Sequence, residues 1–225
     1  MNGLAVRVMR GWFFFQVFLA LILFTSAGTL DYRAGWIYWV LFGFATAAIS
    51  LYFLRYDPAL VKRRMSVGPL AEKRPFQKII QAATSLTLCA IYVVAGLDFR
   101  FGRSTVPPAL VAGGDILLLL SYLLMFFVFR QNGFASATVE VQPEQRVIRT
   151  GLYGMVRHPM YASAVLMFGG TALALESYWA LLPAAAVVGM MVARLLDEEH
   201  YLRANLAGYD EYCRQVRYRL LPSVW

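Results

Sequence analysis

The chain has 225 residues, of which 60% are apolar and 15% charged, with a mean hydropathy of +0.56. Soluble domains average about 45–50% apolar and about 25% charged, so the composition excludes a soluble globule and equally a disordered chain. The net charge of +8 comes from 21 Lys and Arg against 13 Asp and Glu. In so apolar a chain it points to loops facing anionic lipid, not to nucleic acid.

The apolar residues fall into six runs, at 12–30, 35–54, 79–97, 108–129, 160–175 and 178–195. A helix needs about 20 apolar residues to cross the hydrocarbon, and the first four runs meet that length. The last two are shorter and are divided only by Glu176-Ser177. They are expected to form a tight helical hairpin, the alternative being one long bent helix. The runs are continuous and do not alternate, which argues against strands. The expected fold is an all-α integral membrane protein with about six transmembrane helices, or five if the last two runs form one bent unit. The first run is too long for a cleaved signal and is expected to be a span.

Orientation follows from the basic residues. Arg7 and Arg10 precede the first run; Arg55, Lys62, Arg63, Arg64, Lys73, Arg74 and Lys78 follow the second. Arg130, Arg146, Arg149 and Arg157 follow the fourth, and Arg194, Arg203, Arg214, Arg217 and Arg219 belong to the tail. Only Arg33, Arg100 and Arg103 fall on the other side. This asymmetry places both termini in the cytoplasm. Trp36, Tyr38, Trp39, Tyr178 and Trp179 lie near the expected interfaces, as aromatic belts do.

The segment 55–78 has Pro58, Gly68 and Pro69 among its clustered bases and reads as a surface loop on anionic headgroups. The segment 131–157 is polar and too long to be a mere connection. Residues 1–130 are expected to be a membrane unit with a basic loop, and 131–225 a catalytic region with a helical hairpin and a cytoplasmic tail. Cys89 and Cys213 would have to meet across the membrane boundary to pair, so both are expected to be free thiols.

Ionisable residues beside apolar spans are costly and mark function. They concentrate in two places, Gly151-Leu152-Tyr153-Gly154-Met155-Val156-Arg157-His158-Pro159-Met160-Tyr161 and Arg194-Leu195-Leu196-Asp197-Glu198-Glu199-His200. A hairpin brings both to the cytoplasmic edge. Pro159 suits a first helical turn, and Arg194 and Glu198, four apart, share a helix face. Taken singly, these residues read as interfacial anchors, a solvated face and an Arg194–Glu198 pair. Taken together, they make a site for a zwitterionic ligand, with Glu meeting a cation and Arg or His an anion. Arg157 and Arg194 are the substrate-side candidates.

The pattern Gly151-x-Tyr153-x-x-x-Arg157-His158-Pro159-x-Tyr161, followed by Glu198-Glu199-x-x-Leu202, resembles the isoprenylcysteine carboxyl methyltransferase family. The ending Gly208-Tyr209-x-x-Tyr212 with Val216-x-Tyr218-Arg219-Leu220-Leu221-Pro222 is similar to that family's ending. Phospholipid N-methyltransferases share part of the signature. The resemblance covers about 132–225 and implies S-adenosylmethionine as methyl donor, held without a Rossmann fold, with S-adenosylhomocysteine as product. It implies that Tyr153, His158, Pro159, Met160 and Tyr161 line the donor pocket and that 145–148, with Gln145, Val147 and Ile148, add backbone contacts. Glu198 matches the donor-binding carboxylate of the Glu-Glu motif, with Glu199 beside it, and Arg194 matches the arginine that meets the acceptor. One departure is Ser163, where the family often has Gly.

The expected function is methyl transfer to a lipophilic acceptor at the cytoplasmic face, a carboxylate held by Arg194 in the first reading. A phospholipid or other lipid amine is the alternative acceptor. The expected partners are a lipophilic or lipidated substrate and membrane lipids, with no nucleic acid and no metal. Two other classes compete. A metal site could be drawn from His158, Glu198, Glu199 and His200, and a non-catalytic lipid-binding protein could keep a decayed site.

Overall fold

The computed structural model describes residues 2–65, 68, 70–72, 74–142 and 144–225, the side chain of Asn2 apart, and Pro69 and Lys73 lie outside the described residues. Among the described residues all regular structure is helical. The α-helices are α1 Asn2–Ala27, α2 Arg33–Tyr56, α3 Pro58–Met65, α4 Pro75–Phe101, α5 Pro108–Gln131, α6 Pro159–Ala174, α7 Leu181–Asn205 and α8 Tyr209–Gln215, with a single 3₁₀ turn at Gly151–Gly154. Four of them begin on proline (Pro58, Pro75, Pro108 and Pro159), whose fixed φ suits the first turn and whose missing N–H costs nothing there.

Helices α1, α2, α4 and α5 are long and apolar enough to cross a membrane. Their outer faces stay apolar, with Phe44, Ile79 and Leu86 at least 70% exposed. Lipid solvates such faces, while the helix satisfies its own backbone. The last two apolar runs form separate helices joined at 175–180, so the single bent helix does not occur. Helix α6 has only 16 residues, about 24 Å of rise against roughly 30 Å of hydrocarbon. Helix α7 has 25 residues but becomes polar after Leu196. Four full-length spans and a shorter hairpin therefore stand where six spans were expected.

The main core lies between α1, α2, α4, α5, α6 and α7, built on Leu23, Tyr38, Ile91, Leu118, Phe168 and Val187. Small residues let the backbones close in. A Cβ on Gly114 of α5 would fall 2.8 Å from the carbonyl oxygen of Gly170 in α6. Polar side chains join the helices inside the bundle, where Tyr38 Oη lies 2.9 Å from Tyr92 Oη and 3.3 Å from Thr171 Oγ1. At the end of the bundle that holds the α6–α7 turn, Asp98 accepts hydrogen bonds from Ser104 (2.6 Å) and Ser177, and Tyr32 donates to the Leu175 carbonyl.

At the opposite end, the starts of α4 and α6 meet the ends of α5 and α7. Two smaller apolar clusters sit here. One packs Phe53, Leu60, Val128, Phe129 and Ala135; the other packs Leu206, Tyr209, Tyr212 and Val216 against Val141 and Val147. The first ties α3 onto the bundle, so part of the expected surface loop is a docked helix. Cys89 and Cys213 are free thiols, as expected.

Candidate functional site

The polar end of α7 sends successive side chains in different directions, as a rotation of 100° per residue requires. Asp197 is held by both terminal nitrogens of Arg74, at 2.7 and 2.8 Å, and by Gln77. Glu198 accepts a 2.7 Å hydrogen bond from Tyr161 Oη. Glu199 lies 3.1 Å from both Arg157 Nε and His158 Nε2, and 3.0 Å from Arg219 Nε. Burial alone would raise the pKa of Glu199. The hydrogen bond from His158, the charges of His158 and Arg157 and the hydrogen bond from Arg219 outweigh it and hold the carboxyl at about 2.

The long connection after α5 is fixed at both ends. Gln131 Oε1 accepts from the Leu152 N–H at 2.9 Å, and Asn132 Nδ2 donates to Tyr153 Oη at 2.9 Å. Gly151 has φ +61°, and a Cβ there would fall 2.7 Å from Gln131 Oε1. Both the left-handed backbone and the contact demand glycine, which gives the first position of the Gly-x-Tyr pattern its physical reason. The C-terminal tail closes the site from outside. The N–H groups of Arg157 and His158 each donate at 2.9 Å to the carbonyls of Tyr218 and Arg219, and Tyr212 Oη donates to the Tyr153 carbonyl at 2.8 Å. Burial pushes the Tyr153 phenol up to about 12, partly offset by Asn132, and raises Tyr209 and Tyr212 as well.

These elements enclose a cavity of about 110 Å³. Gln145, Val147, Ile148, Tyr153, His158, Met160, Tyr161 and Glu198 all line it. Pro159 and Glu199 do not. Pro159 starts α6, and Glu199 clamps the Arg-His pair and the tail. Arg157 reaches the same cavity, but its guanidinium is committed to Glu199. A second cavity of about 300 Å³ lies between the helices, lined by Arg64, Met125, Ala164, Met167, Phe168, Met191 and Arg194. The two share a wall of Ser136, Thr138, Val139, Met160, Tyr161 and Glu198.

Arg194 does not pair with Glu198. Its Nη2 lies 2.7 Å from Glu72 Oε1 and 2.8 Å from the Ala137 carbonyl. Sequence reasoning missed Glu72, an acid in a basic segment whose side chain is 1% exposed. It also passed over Asn132 and Tyr209 as site residues, though Tyr209 stood in the quoted tail pattern. Ser163 packs its hydroxyl against the Met160 carbonyl at 3.2 Å. His200 is exposed, and among the described residues no group of three His, Cys, Asp or Glu side chains is placed to hold a metal.

The lining of the first cavity suits a charged ligand. Glu198 offers a carboxylate to a cation. Tyr209 Oη is buried, lines the cavity and has no hydrogen-bond partner among the described residues. The backbone groups of 146–148 pair with no other backbone group there. A buried hydroxyl left without a partner, like that of Tyr209, calls for a ligand.

Fold and cavities together describe a multi-pass membrane protein in which a polar cavity adjoins a more apolar one. Residues 109–207, from the start of α5 to just beyond α7, match the family model described as phospholipid methyltransferase. Proteins of that family are methyltransferases that take the methyl group from S-adenosylmethionine, and this chain is an S-adenosylmethionine-dependent membrane methyltransferase.

Proposed function

We propose that the protein transfers a methyl group from S-adenosylmethionine, bound in the smaller cavity, to the headgroup amine of a membrane lipid seated in the larger one. The observation that carries this reading is the shared wall. Tyr161 and Glu198 line both cavities and are hydrogen-bonded to each other at 2.7 Å. Donor and acceptor in the two spaces would meet across these side chains. The donor supplies an already activated methyl, so the chain needs no nucleophile of its own.

What the residues do is bind, orient and exclude water. Glu198, aligned by Tyr161, meets the positive charge of the donor, while Tyr209, Gln145 and the free backbone of 146–148 hold its polar remainder. The tail and the apolar walls keep water from the acceptor, which strengthens each charge contact inside. Transfer requires the acceptor atom in line with the methyl at roughly 3–3.5 Å. An amine must also shed a proton, and among the described residues Glu198 is the one carboxylate on both cavity walls.

The choice of an amine rests on Glu72. Arg194 was the expected anchor for a carboxylate acceptor, but Glu72 already neutralises it at 2.7 Å. A carboxylate acceptor remains the second reading, favoured by the place of Arg194 on the larger cavity's wall, and it would have to displace Glu72. The basic face holding the site is read as cytoplasmic, from the Lys and Arg asymmetry. In the same reading 131–225 carry the donor site on a scaffold supplied by 1–130. Transfer of labelled methyl into a total lipid extract tests the choice. An amine acceptor gives label that stays non-volatile through mild alkali, in the N-methylated headgroup that deacylation releases. Label lost to alkali as methanol would mean a methyl ester and defeat the amine reading.

A further inference from the structure

Among the described residues two cations line the larger cavity, and only one of them has a carboxylate partner. Arg194 is paired with Glu72. Arg64, on the short helix α3, is half-buried, and no carboxylate among the described residues lies within ion-pair distance of it. Its Nη1 donates to the Ser136 carbonyl at 3.3 Å and to Met160 Sδ at 3.5 Å, and its guanidinium carbon sits 4.6 Å over the Phe129 ring. These are neutral and weak partners. Burial works to lower its pKa, and the nearby Arg194 adds to that. Yet a guanidinium stays charged in proteins, and a partly desolvated cation without an anion is costly unless a ligand brings one.

We infer that Arg64 is the phosphate-binding residue of the acceptor site, gripping the phosphodiester of a glycerophospholipid whose headgroup amine is to be methylated. This rests on the amine reading above for the identity of the reacting group, while the phosphate contact can be tested apart from it.

The position of Arg64 supports the assignment. It touches Ser136 and Met160, both on the shared wall. An anion held there adjoins the smaller cavity, which the same two residues also line. Helix α3 packs Leu60 into the apolar cluster with Phe53 and Phe129 and directs Arg63 to the Gly133 carbonyl. Lys62 is left exposed. A short basic helix docked at the membrane's basic face lies at headgroup depth, where lipid phosphates are. The remaining lining is mostly apolar, with Met125, Ala164, Met167, Phe168 and Met191 beside Gln81 and Thr84, and suits glycerol and acyl chains better than a free soluble anion. A guanidinium fork also suits the two unesterified oxygens of a phosphodiester.

The test uses the full-length protein in detergent and a probe without an amine, short-chain phosphatidylmethanol, compared with the diacylglycerol of the same chains by calorimetric titration. Wild-type protein is expected to bind phosphatidylmethanol at least about tenfold more tightly. Arg64→Gln should erase that preference and leave diacylglycerol binding unchanged, and Arg64→Lys should retain part of it. S-adenosylhomocysteine titration checks that each variant is folded. Inorganic phosphate at equal concentration should not displace the lipid. Equal wild-type affinity for the two probes overturns the proposal without any variant. So does an unchanged preference in Arg64→Gln, or displacement by phosphate, which would mark a soluble anion site. Failure of the amine reading would look different: phosphatidylethanolamine would gain no methyl, while the phosphodiester preference and its dependence on Arg64 persisted.

Discussion

Glu198 and Glu199 are neighbours with opposite tasks. Glu198 faces the cavities with Tyr161, and Glu199 faces the Arg157–His158 pair and the tail. On the proposed donor site, replacing Glu198 by Gln would remove a charge-assisted contact to the donor, about 1.5–3 kcal/mol or roughly tenfold to a hundredfold in affinity. Titration with S-adenosylmethionine reads this directly, and Tyr161→Phe should cost only a few-fold. Unchanged donor affinity in Glu198→Gln would remove that residue from the donor site. Glu199 makes a pH prediction instead. Its folded pKa, about 2, lies below the ordinary value of 4.5. The stabilisation is therefore complete above about pH 4.5 and is lost as pH falls toward 2. Melting curves across that window should show wild type losing stability with a slope that Glu199→Gln lacks. Parallel curves would mean that the clamp contributes nothing.

At the scale of elements, the end of α7 is the hub. It is joined to α4 through Gln77, to α6 through Tyr161, to the tail through Arg219, and to the segment before α4 through Glu72 and Arg74. The Arg194–Glu72 pair is buried, with side chains 15% and 1% exposed. Breaking one half of such a pair costs about 3–5 kcal/mol, because the other charge stays buried, whereas replacing both with apolar residues is often neutral. Arg194→Met should thus melt well below wild type, and Arg194→Met with Glu72→Met should recover most of the loss. A double variant as unstable as the single one would show that packing, not charge, governs the site. The sequence made part of this hub legible. Tyr153 of the Gly-x-Tyr pattern, Arg157 and His158 of the Arg-His-Pro pattern and Glu198 fall on the walls of the smaller cavity, and the first pattern depends on local geometry, the left-handed Gly151. The Arg194–Glu72 pair was not legible, since its members are 122 residues apart and no periodicity links them. The resemblance singled out Glu198 of the two adjacent glutamates, and Glu198 lines the cavities while Glu199 does not; the rotation of α7 in the bundle that sets this has no signal in the residues themselves. Helix α3 was read as loop because it is short, basic and buries one residue, Leu60.

Across the whole molecule, the division is between a lipid-solvated bundle and a polar cap at one end. Continuous apolar runs sufficed for the all-helical membrane class, since lipid leaves a chain few other ways to satisfy its backbone. They did not fix the span count, because α6 is too short to cross alone and works as half of a hairpin. That shortness is useful, as it sets His158 and Tyr161 below the cap, where the 132–148 connection and the tail can cover them. The account thus stands on the donor lying under that cap. Photolabelling with an azido-adenosine analogue of S-adenosylmethionine, followed by peptide mapping, locates it. The account predicts label within 132–161 or 198–212, abolished by excess S-adenosylhomocysteine. Competable label confined to the α1–α2 or α4–α5 connection would place the donor at the other end of the bundle and contradict it.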